Sequence, residues 1–181
     1  WLYEETNLTV FHPKTIKSKG IVFHAPADRL SNINADEFAH ADDLFVEWYN
    51  TKKLVYLQYL AAVLYAEVDE KGKRIPFDKE LLEAKAKRFK KVKRNQLLAI
   101  SLAYVGCRSH LAPQFPHVFP KKKGEQPKQT KLQSSGFGKV SLHLAGGKFG
   151  NYSETKATNI YTFLAEYNEL LRIEKTKNRN A

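Results

Sequence analysis

A glycine pair followed by a lysine, Gly146-Gly147-Lys148, is the one stretch that invites comparison with a nucleotide site. A phosphate-binding P-loop needs a further glycine five residues before its Gly-Lys pair and a Ser or Thr after the lysine. Leu142 and Phe149 occupy those two positions, so the sequence does not encode a P-loop. It predicts a tight turn with positive φ angles at the glycines and Phe149 packed beneath it.

Soft metal ligands are scarce. Cys107, His110 and His117 are the only closely spaced set, and Cys107 is the single cysteine. A structural zinc site needs four ligands, in short paired spacings, so one of the remote histidines His12, His24 or His143 would have to complete it. Cys107 with a histidine is also a conceivable nucleophile pair, but the preceding Val105-Gly106 indicates burial. We predict no metal, no cofactor and no cysteine chemistry.

Carboxylates cluster in one stretch that reads as a helix, and they comprise Asp36, Glu37, Asp42, Asp43 and Glu47. Paired carboxylates can carry out general acid–base catalysis. At the start of a helix they also complement the positive end of its dipole, which is the simpler interpretation here. Because no catalytic set of residues appears elsewhere, the sequence predicts a protein that is not an enzyme.

Basic residues give the strongest indication of binding. In the stretch 79–94 they lie on the polar face of an amphipathic helix, opposite its apolar face. A second basic run follows in a loop. The candidate residues for binding an anionic partner are Lys87, Arg88, Lys90, Lys91, Arg94, Lys121, Lys122 and Lys123. No aromatic residue interleaves with them, since Phe89 belongs to the apolar side, so stacking on single-stranded bases is not indicated. Sequence-independent contact with phosphates stays open, against the alternative of a solvated surface.

Charge is unevenly distributed along the 181 residues. The chain holds 30 Lys and Arg against 19 Asp and Glu, a net charge of +11. Residues 1–70 are acidic, whereas residues 71–94 and 121–148 are strongly basic. This pattern suits an anionic partner such as nucleic acid, and it equally suits pairing between acidic and basic parts of two copies.

The elements that would position these residues are mainly helical. We predict one domain of about five helices behind a small β or extended element at residues 1–33. The helical domain spans residues 34–173, includes a long loop at 113–138 that is mobile over 121–135, and ends in a frayed tail at 174–181. Within the N-terminal element, residues 8–11 and 20–23 read as short strands and the basic residues 14–19 as a loop or arm.

Helix starts and apolar periodicity define the helices. Asn34 with Glu37, and Asn151 with Glu154, fit the capping-box pattern. The first helix should end near Thr51, the second near Asp69, the third should follow Asp78, the fourth should cover about 96–110 and the last about 154–173. The fourth is apolar nearly all round, so we expect it to be buried on more than one side. The predicted core comprises Leu57, Leu60, Leu64, Leu98, Leu102, Phe163 and Leu164.

Several stretches together resemble a family of small proteins encoded by tailed phages and prophages of Bacteroidetes-type hosts. They include His24-Ala-Pro-Ala-Asp-Arg-Leu-Ser-Asn-Ile33, Phe45-Val-Glu-Trp-Tyr49, Leu60-Ala-Ala-Val-Leu-Tyr65 and Asn159-Ile-Tyr-Thr-Phe163. The resemblance implies a non-enzymatic protein from the morphogenesis region, acting through protein–protein interaction in tail or particle assembly or in the virion. Its partners would be other phage structural or assembly proteins, with a homo-oligomer and nucleic acid as alternatives. No site residues follow from the resemblance.

The expected location follows from the same features. No apolar run reaches the roughly 18–20 residues of a membrane helix, no secretory leader is recognised, and a single cysteine suits a reducing compartment. With the resemblance, this predicts the host cytoplasm during assembly, with retention in the virion as an extension of that role.

Overall fold

The computed structural model describes residues 8–120, 136–146 and 149–178, and in them the chain is mainly helical with one small sheet. The predicted fold class is confirmed. The elements are β1 (Thr15–Ser18), β2 (Ile21–His24), α1 (Ala35–Thr51), α2 (Leu54–Leu64), α3 (Leu82–Phe89), α4 (Arg94–Leu111), α5 (Phe137–Leu144), α6 (Tyr152–Ala157) and α7 (Ile160–Lys177), with single 3-10 turns at Asp28–Leu30 and Ala112–Gln114.

Helix α2 is the centre of the fold, because α1, α3 and α4 all pack against it. Every residue from Leu60 to Leu64 is fully buried, as is Leu57 one turn earlier. Phe163 and Leu164 of α7 are also fully buried, so five of the seven predicted core residues are confirmed.

The other two predicted core residues, Leu98 and Leu102, are exposed, at 37% and 43%. The prediction that α4 is buried on more than one side is therefore wrong for the face that carries Leu98 and Leu102. Helix α4 turns a different face to the core, that of Leu97, Ile100 and Tyr104, all fully buried. An apolar composition all round the helix gave no means of telling the two faces apart.

The first strand of the N-terminal hairpin is formed by other residues than those predicted. Strand β1 is formed by the basic stretch expected to be a loop, and residues 8–11 form no strand. Ile16 pairs with Phe23, both buried, while Lys19 and Gly20 make the turn with φ angles of 48° and 80°. Two consecutive residues with positive φ are typical of the two-residue turn of a tight β-hairpin. The turn fixes the pairing register of the two strands.

Residues 8–11 pack across α4 instead of pairing in the sheet. A Cβ atom at Gly106 would overlap the carbonyl oxygen of Leu8, so only glycine allows this crossing. Phe11 follows as a fully buried side chain. The glycine in α4 thus marks close packing, one of the two roles that the sequence suggested for it.

Helix starts were predicted better than helix ends. Both capping boxes are present: Asn34 with Glu37 begins α1, and Asn151 with Glu154 begins α6. Helix α2, however, ends at Leu64, because Ala66 pairs with His24 and Val68 pairs with Arg74. Helix α3 starts at Leu82, later than expected, because Asp78 closes only a local turn by accepting a bond from the Glu80 amide.

The last predicted helix is two helices, and their junction is joined to the start of α1. Asn159 interrupts the helix and forms an isolated bridge with Asn34. The Ala35 amide donates to the Thr158 carbonyl at 2.9 Å, and the Ile160 amide donates to the Ile33 carbonyl at 3.1 Å. Helix α7 then continues to Lys177, past the predicted end at Ile173.

The glycine turn after α5 is confirmed. Gly146 and Gly150 have φ angles of 87° and 73°, and the Gly146 amide donates to the Gly150 carbonyl at 2.6 Å. Phe149 stacks on Phe163 with 6.0 Å between ring centroids. The predicted mobility of residues 121–135 lies outside the described residues. None of the helices in the described part of the chain combines the length and apolar composition that crossing a membrane requires.

Candidate interface for an anionic partner

The acidic residues of α1 are largely engaged inside the molecule. Glu37 is 4% exposed, and its carboxylate accepts a bond of 2.7 Å from Arg74 and another from the Asn34 amide. Arg74 also donates to the Leu64 carbonyl at 3.0 Å, so it ties the start of α1 to the end of α2. These bonds hold the Glu37 carboxylate in one position inside the molecule.

Asp42 occupies a similar position further along α1. It is fully buried, and its carboxylate accepts bonds from Arg108 at 2.8 Å and from the Tyr104 hydroxyl at 3.2 Å, both on α4. Burial, reinforced by the Asp42 charge, raises the pKa of Tyr104 well above its ordinary value. The phenol therefore stays protonated and serves as a fixed donor.

Asp36 is paired as well, with Lys156 of α6 at 3.0 Å and with His40 at 3.5 Å. Of the five acidic residues singled out in α1, only Asp43 and Glu47 are exposed. Helix α1 therefore exposes far less negative charge than its sequence indicates. Few of its carboxylates are accessible for pairing with the basic helix of a second copy.

Asp36 and Lys156 also line an open cleft of about 680 Å³ between α1, α6 and residues 75–81. Leu81, which also lines it, is 62% exposed. Asp78, Lys79 and Glu80 line the cleft as well, so it presents charged side chains beside apolar ones.

Basic residues near the end of α3 remain largely available. Lys87 is the exception, because its ammonium bonds Glu83 at 2.9 Å, which raises the pKa of Lys87 and lowers that of Glu83. Arg88 is half-buried, while Lys90, Lys91 and Arg94 are exposed. These last four form no ion pair within the described residues.

The β-hairpin adds cations to this region. The Ser18 hydroxyl donates to the Arg88 carbonyl at 2.8 Å, and the Phe23 and Phe89 rings pack with centroids 5.1 Å apart. Lys17 and Lys19 flank Ser18 and are exposed. We call the resulting set the basic surface; it comprises Lys17, Lys19, Arg88, Lys90, Lys91, Lys93 and Arg94.

Sequence reasoning missed Lys17, Lys19 and Lys93 as members of this surface. Lys93 belongs to the same basic run as its neighbours, so the run itself was a sufficient signal. The hairpin lysines precede Arg88 by about 70 positions, as the Ser18–Arg88 separation shows, and their sequence gives no sign of that proximity. Lys121, Lys122 and Lys123 lie outside the described residues.

The aromatic rings packed beneath the basic surface are not accessible for stacking. Phe23 and Phe89, the aromatic residues beneath it, are fully buried. Neither Lys17 and Lys19 in the hairpin nor the other members have a salt-bridge partner among the described residues. Such a surface can bind phosphate or carboxylate groups.

The soft ligands form no site in the described part of the chain. Cys107 is fully buried, its thiol contacts the Thr9 carbonyl at 3.3 Å, and burial raises its pKa to about 12. A thiol held in this form is a poor nucleophile and a poor metal ligand. Among the described residues, no group of three or more His, Cys, Asp or Glu is placed to hold a metal ion.

Comparisons of the chain with protein-family models, with curated proteins and with solved structures each gave no match.

Proposed function

We propose that the protein is a non-enzymatic binding protein whose basic surface contacts the phosphate backbone of a nucleic acid without reading its sequence. The observation that supports this is the Ser18–Arg88 bond, which joins the hairpin to the end of α3: seven cations with no ion pair within the described residues lie within six positions of one of these two residues. Five of them are lysines, which act as flexible point charges rather than as planar forks for particular bases.

Such binding has a characteristic dependence on salt. Each neutralised phosphate releases condensed counterions, so the logarithm of the affinity falls with the logarithm of salt concentration by about 0.9 per contact on duplex DNA. If all members of the basic surface make contact, the slope approaches about −6. Affinity for different sequences at one salt concentration should be equal.

The test is a titration of random-sequence duplex at several salt concentrations, read by fluorescence anisotropy. The variant Lys90→Glu/Lys91→Glu/Arg94→Glu should abolish most of the binding and flatten the salt slope. The matched control, Lys71→Glu/Lys73→Glu/Lys79→Glu, makes the same charge change at exposed residues before α3. Equal losses in both variants, or binding that does not weaken with salt, would refute a localised phosphate interface.

The second candidate is a protein–protein role in phage particle assembly, as the resemblance implies. One feature of the fold favours it: Leu98, Ala99 and Leu102 form an exposed apolar row on α4. Exposed leucines in a row are more typical of a contact surface than of a solvated one. The partner would be another structural or assembly protein of the same phage, bound in the host cytoplasm.

This role predicts a defect in particles rather than in nucleic-acid binding. Leu98→Glu/Leu102→Glu should lower the yield of complete particles, and mass analysis of purified particles should show whether the chain stays in them. Leu81→Glu, a single change at another exposed leucine, is the control. Normal particle yield with the α4 variant would exclude this row as an assembly contact.

A further inference from the structure

The cleft between α1, α6 and residues 75–81 has the size of a small-molecule site. Its volume of about 680 Å³ lies within the range of roughly 300–1,000 Å³ that such sites occupy. It shares no lining residue with the basic surface or with the exposed apolar row on α4. A ligand bound in this cleft would therefore occupy a site separate from both surfaces.

Part of the cleft lining is an ion pair that is satisfied within the molecule. The Lys156 ammonium bonds Asp36 at 3.0 Å, and both side chains are mostly buried. The same ammonium lies 5.3 Å from the centre of the Tyr152 ring, and the Asp36 carboxylate also contacts His40 at 3.5 Å. Because each charge already has its partner, this pair has little net charge to offer a ligand.

The segment that leads into α3 supplies apolar side chains to the cleft. Ile75 is 47% exposed, and Leu81 is more exposed than any other large apolar side chain in the described part of the chain. The segment is held in place, because the Ile75 amide donates to the Glu67 carbonyl at 2.9 Å and the Phe77 ring packs on His40 with centroids 5.1 Å apart. An apolar ligand group would cover these side chains without having to order the chain first.

The remaining charged groups of the cleft are mainly carboxylates. Asp78 and Glu80 line it beside Lys79, and none of the three exposed side chains has an ion pair among the described residues. Asp78 accepts one bond, from the Glu80 amide at 2.8 Å. Two carboxylates against one ammonium give the cleft the opposite sign to the net charge of +11 of the chain. Charge complementarity therefore favours a cationic ligand over an anionic one.

We propose that this cleft binds a small organic amine, in which an ammonium group is attached to an apolar body. The apolar body packs against Ile75, Phe77 and Leu81, and the ammonium pairs with the carboxylates of Asp78 and Glu80. Because both carboxylates are exposed to water, each ion pair contributes modestly, and the apolar contact supplies much of the affinity. The site is independent of the basic surface and of the α4 row.

Titration of the full chain with three probes of similar size, followed by amide chemical shifts in NMR spectra, tests the site. Phenethylamine carries the cation, phenethyl alcohol lacks the charge, and hydrocinnamate reverses it. We expect saturable shifts at residues 75–82 with the amine, binding of the alcohol that is weaker by about threefold to tenfold, and the weakest binding with the carboxylate. The absence of saturable shifts with the amine, equal affinity for all three probes, or tightest binding of the carboxylate overturns the proposal.

Removal of the two carboxylate charges tests their role. Asp78→Asn/Glu80→Gln keeps the side-chain volumes, and an Asn side chain still accepts the bond from the amide of residue 80. This variant should bind the amine no better than the alcohol and should bind the alcohol unchanged. Asp69→Asn/Glu70→Gln, the matched control, removes the same two charges from exposed residues that do not line the cleft. Equal loss of amine binding in both variants would indicate a general attraction of cations and overturn the site.

The apolar contact is tested separately. Leu81→Ser should weaken the binding of the amine and of the alcohol by the same factor, whereas Leu102→Ser, at an exposed leucine of α4, should change neither. The amide spectra of each variant show that it is folded. If Leu81→Ser leaves both affinities unchanged, the apolar side chains of the cleft do not hold the ligand and the proposal is wrong.

Discussion

Lys85 is a lysine of α3 placed where its charge is costly. Its ammonium lies 5.8 Å from the centre of the Phe23 ring and near the charges of Arg74, Glu37 and Glu67. Burial is the main reason that the pKa of Lys85 falls to about 8, and Arg74 adds to the shift. The protonated form is therefore less favourable in the folded protein than in the unfolded chain.

The lowered pKa of Lys85 predicts that the free energy of unfolding rises with pH. Between about pH 8 and 10.5 the unfolded chain still binds the proton that the folded protein has lost, so the free energy of unfolding increases with pH. Lys85→Met removes the penalty and should stabilise the protein at pH 7 by about 1–3 kcal/mol. Urea denaturation of both proteins at pH 7 and pH 10 measures the difference. If the difference in stability between the two proteins is the same at both pH values, this explanation is wrong.

Sequence patterns predicted residue environments only where local chemistry decides them. The burial of Cys107 and the capping roles of Asn34 and Asn151 follow from near neighbours. The burial of Glu37 and Asp42 does not, because it depends on Arg74 and Arg108, which are 37 and 66 positions away. The local sequence around a helical carboxylate does not show whether the group is hydrated or paired with a guanidinium that is remote in the sequence.

At the scale of elements, the apolar faces divide into those that hold the core and those that do not. Leu60→Ala should cost about 2–5 kcal/mol of stability and Phe163→Ala about 3–5, because each leaves a cavity in a packed core. Leu98→Ala and Leu102→Ala should cost less than about 1 kcal/mol, since these leucines are already partly in water. Chemical denaturation of the four variants measures this contrast. Similar losses in all four would mean that the α4 row is covered in solution.

Helix ends were the least predictable part of the elements. Periodicity continued past Leu64, but the chain leaves the helix there because Ala66 exchanges backbone bonds with His24. Similarly, the apolar spacing of the last helix runs through Asn159, whose backbone pairs with Asn34 instead. In both cases a bond to a remote segment outweighs the local preference, and no window of sequence contains both partners.

For the whole molecule, Cys107 reports on cooperative unfolding. It packs between α4 and the N-terminal segment, fully buried, and a reagent can reach it only when the structure opens. We expect slow labelling in water and acceleration in Leu60→Ala in proportion to the loss of stability. Ser109→Cys, two residues later and exposed, should react at once as the control. Fast labelling of Cys107 in the native protein would show that the segment around Leu8 opens separately.

The basic surface combines residues that are far apart in the sequence, and for that reason only part of it was predicted. The charge run after α3 is visible in sequence, whereas the contribution of Lys17 and Lys19 depends on where the hairpin docks. That docking follows from the Phe23–Phe89 contact and the Ser18–Arg88 bond. The net charge of +11 indicated a basic protein but could not indicate which elements share a surface.

The bond between the starts of α1 and α7 has a consequence for the order in which the chain matures on the ribosome. The Asn159 side chain bonds the Ile33 carbonyl across 126 positions, so the first turn of α1 lacks this partner until residue 159 has been translated. At about 5–20 residues per second, α1 waits many seconds after its own synthesis. Stalled nascent chains that stop before position 159 should therefore stay sensitive to protease around α1, while chains released after completion become resistant.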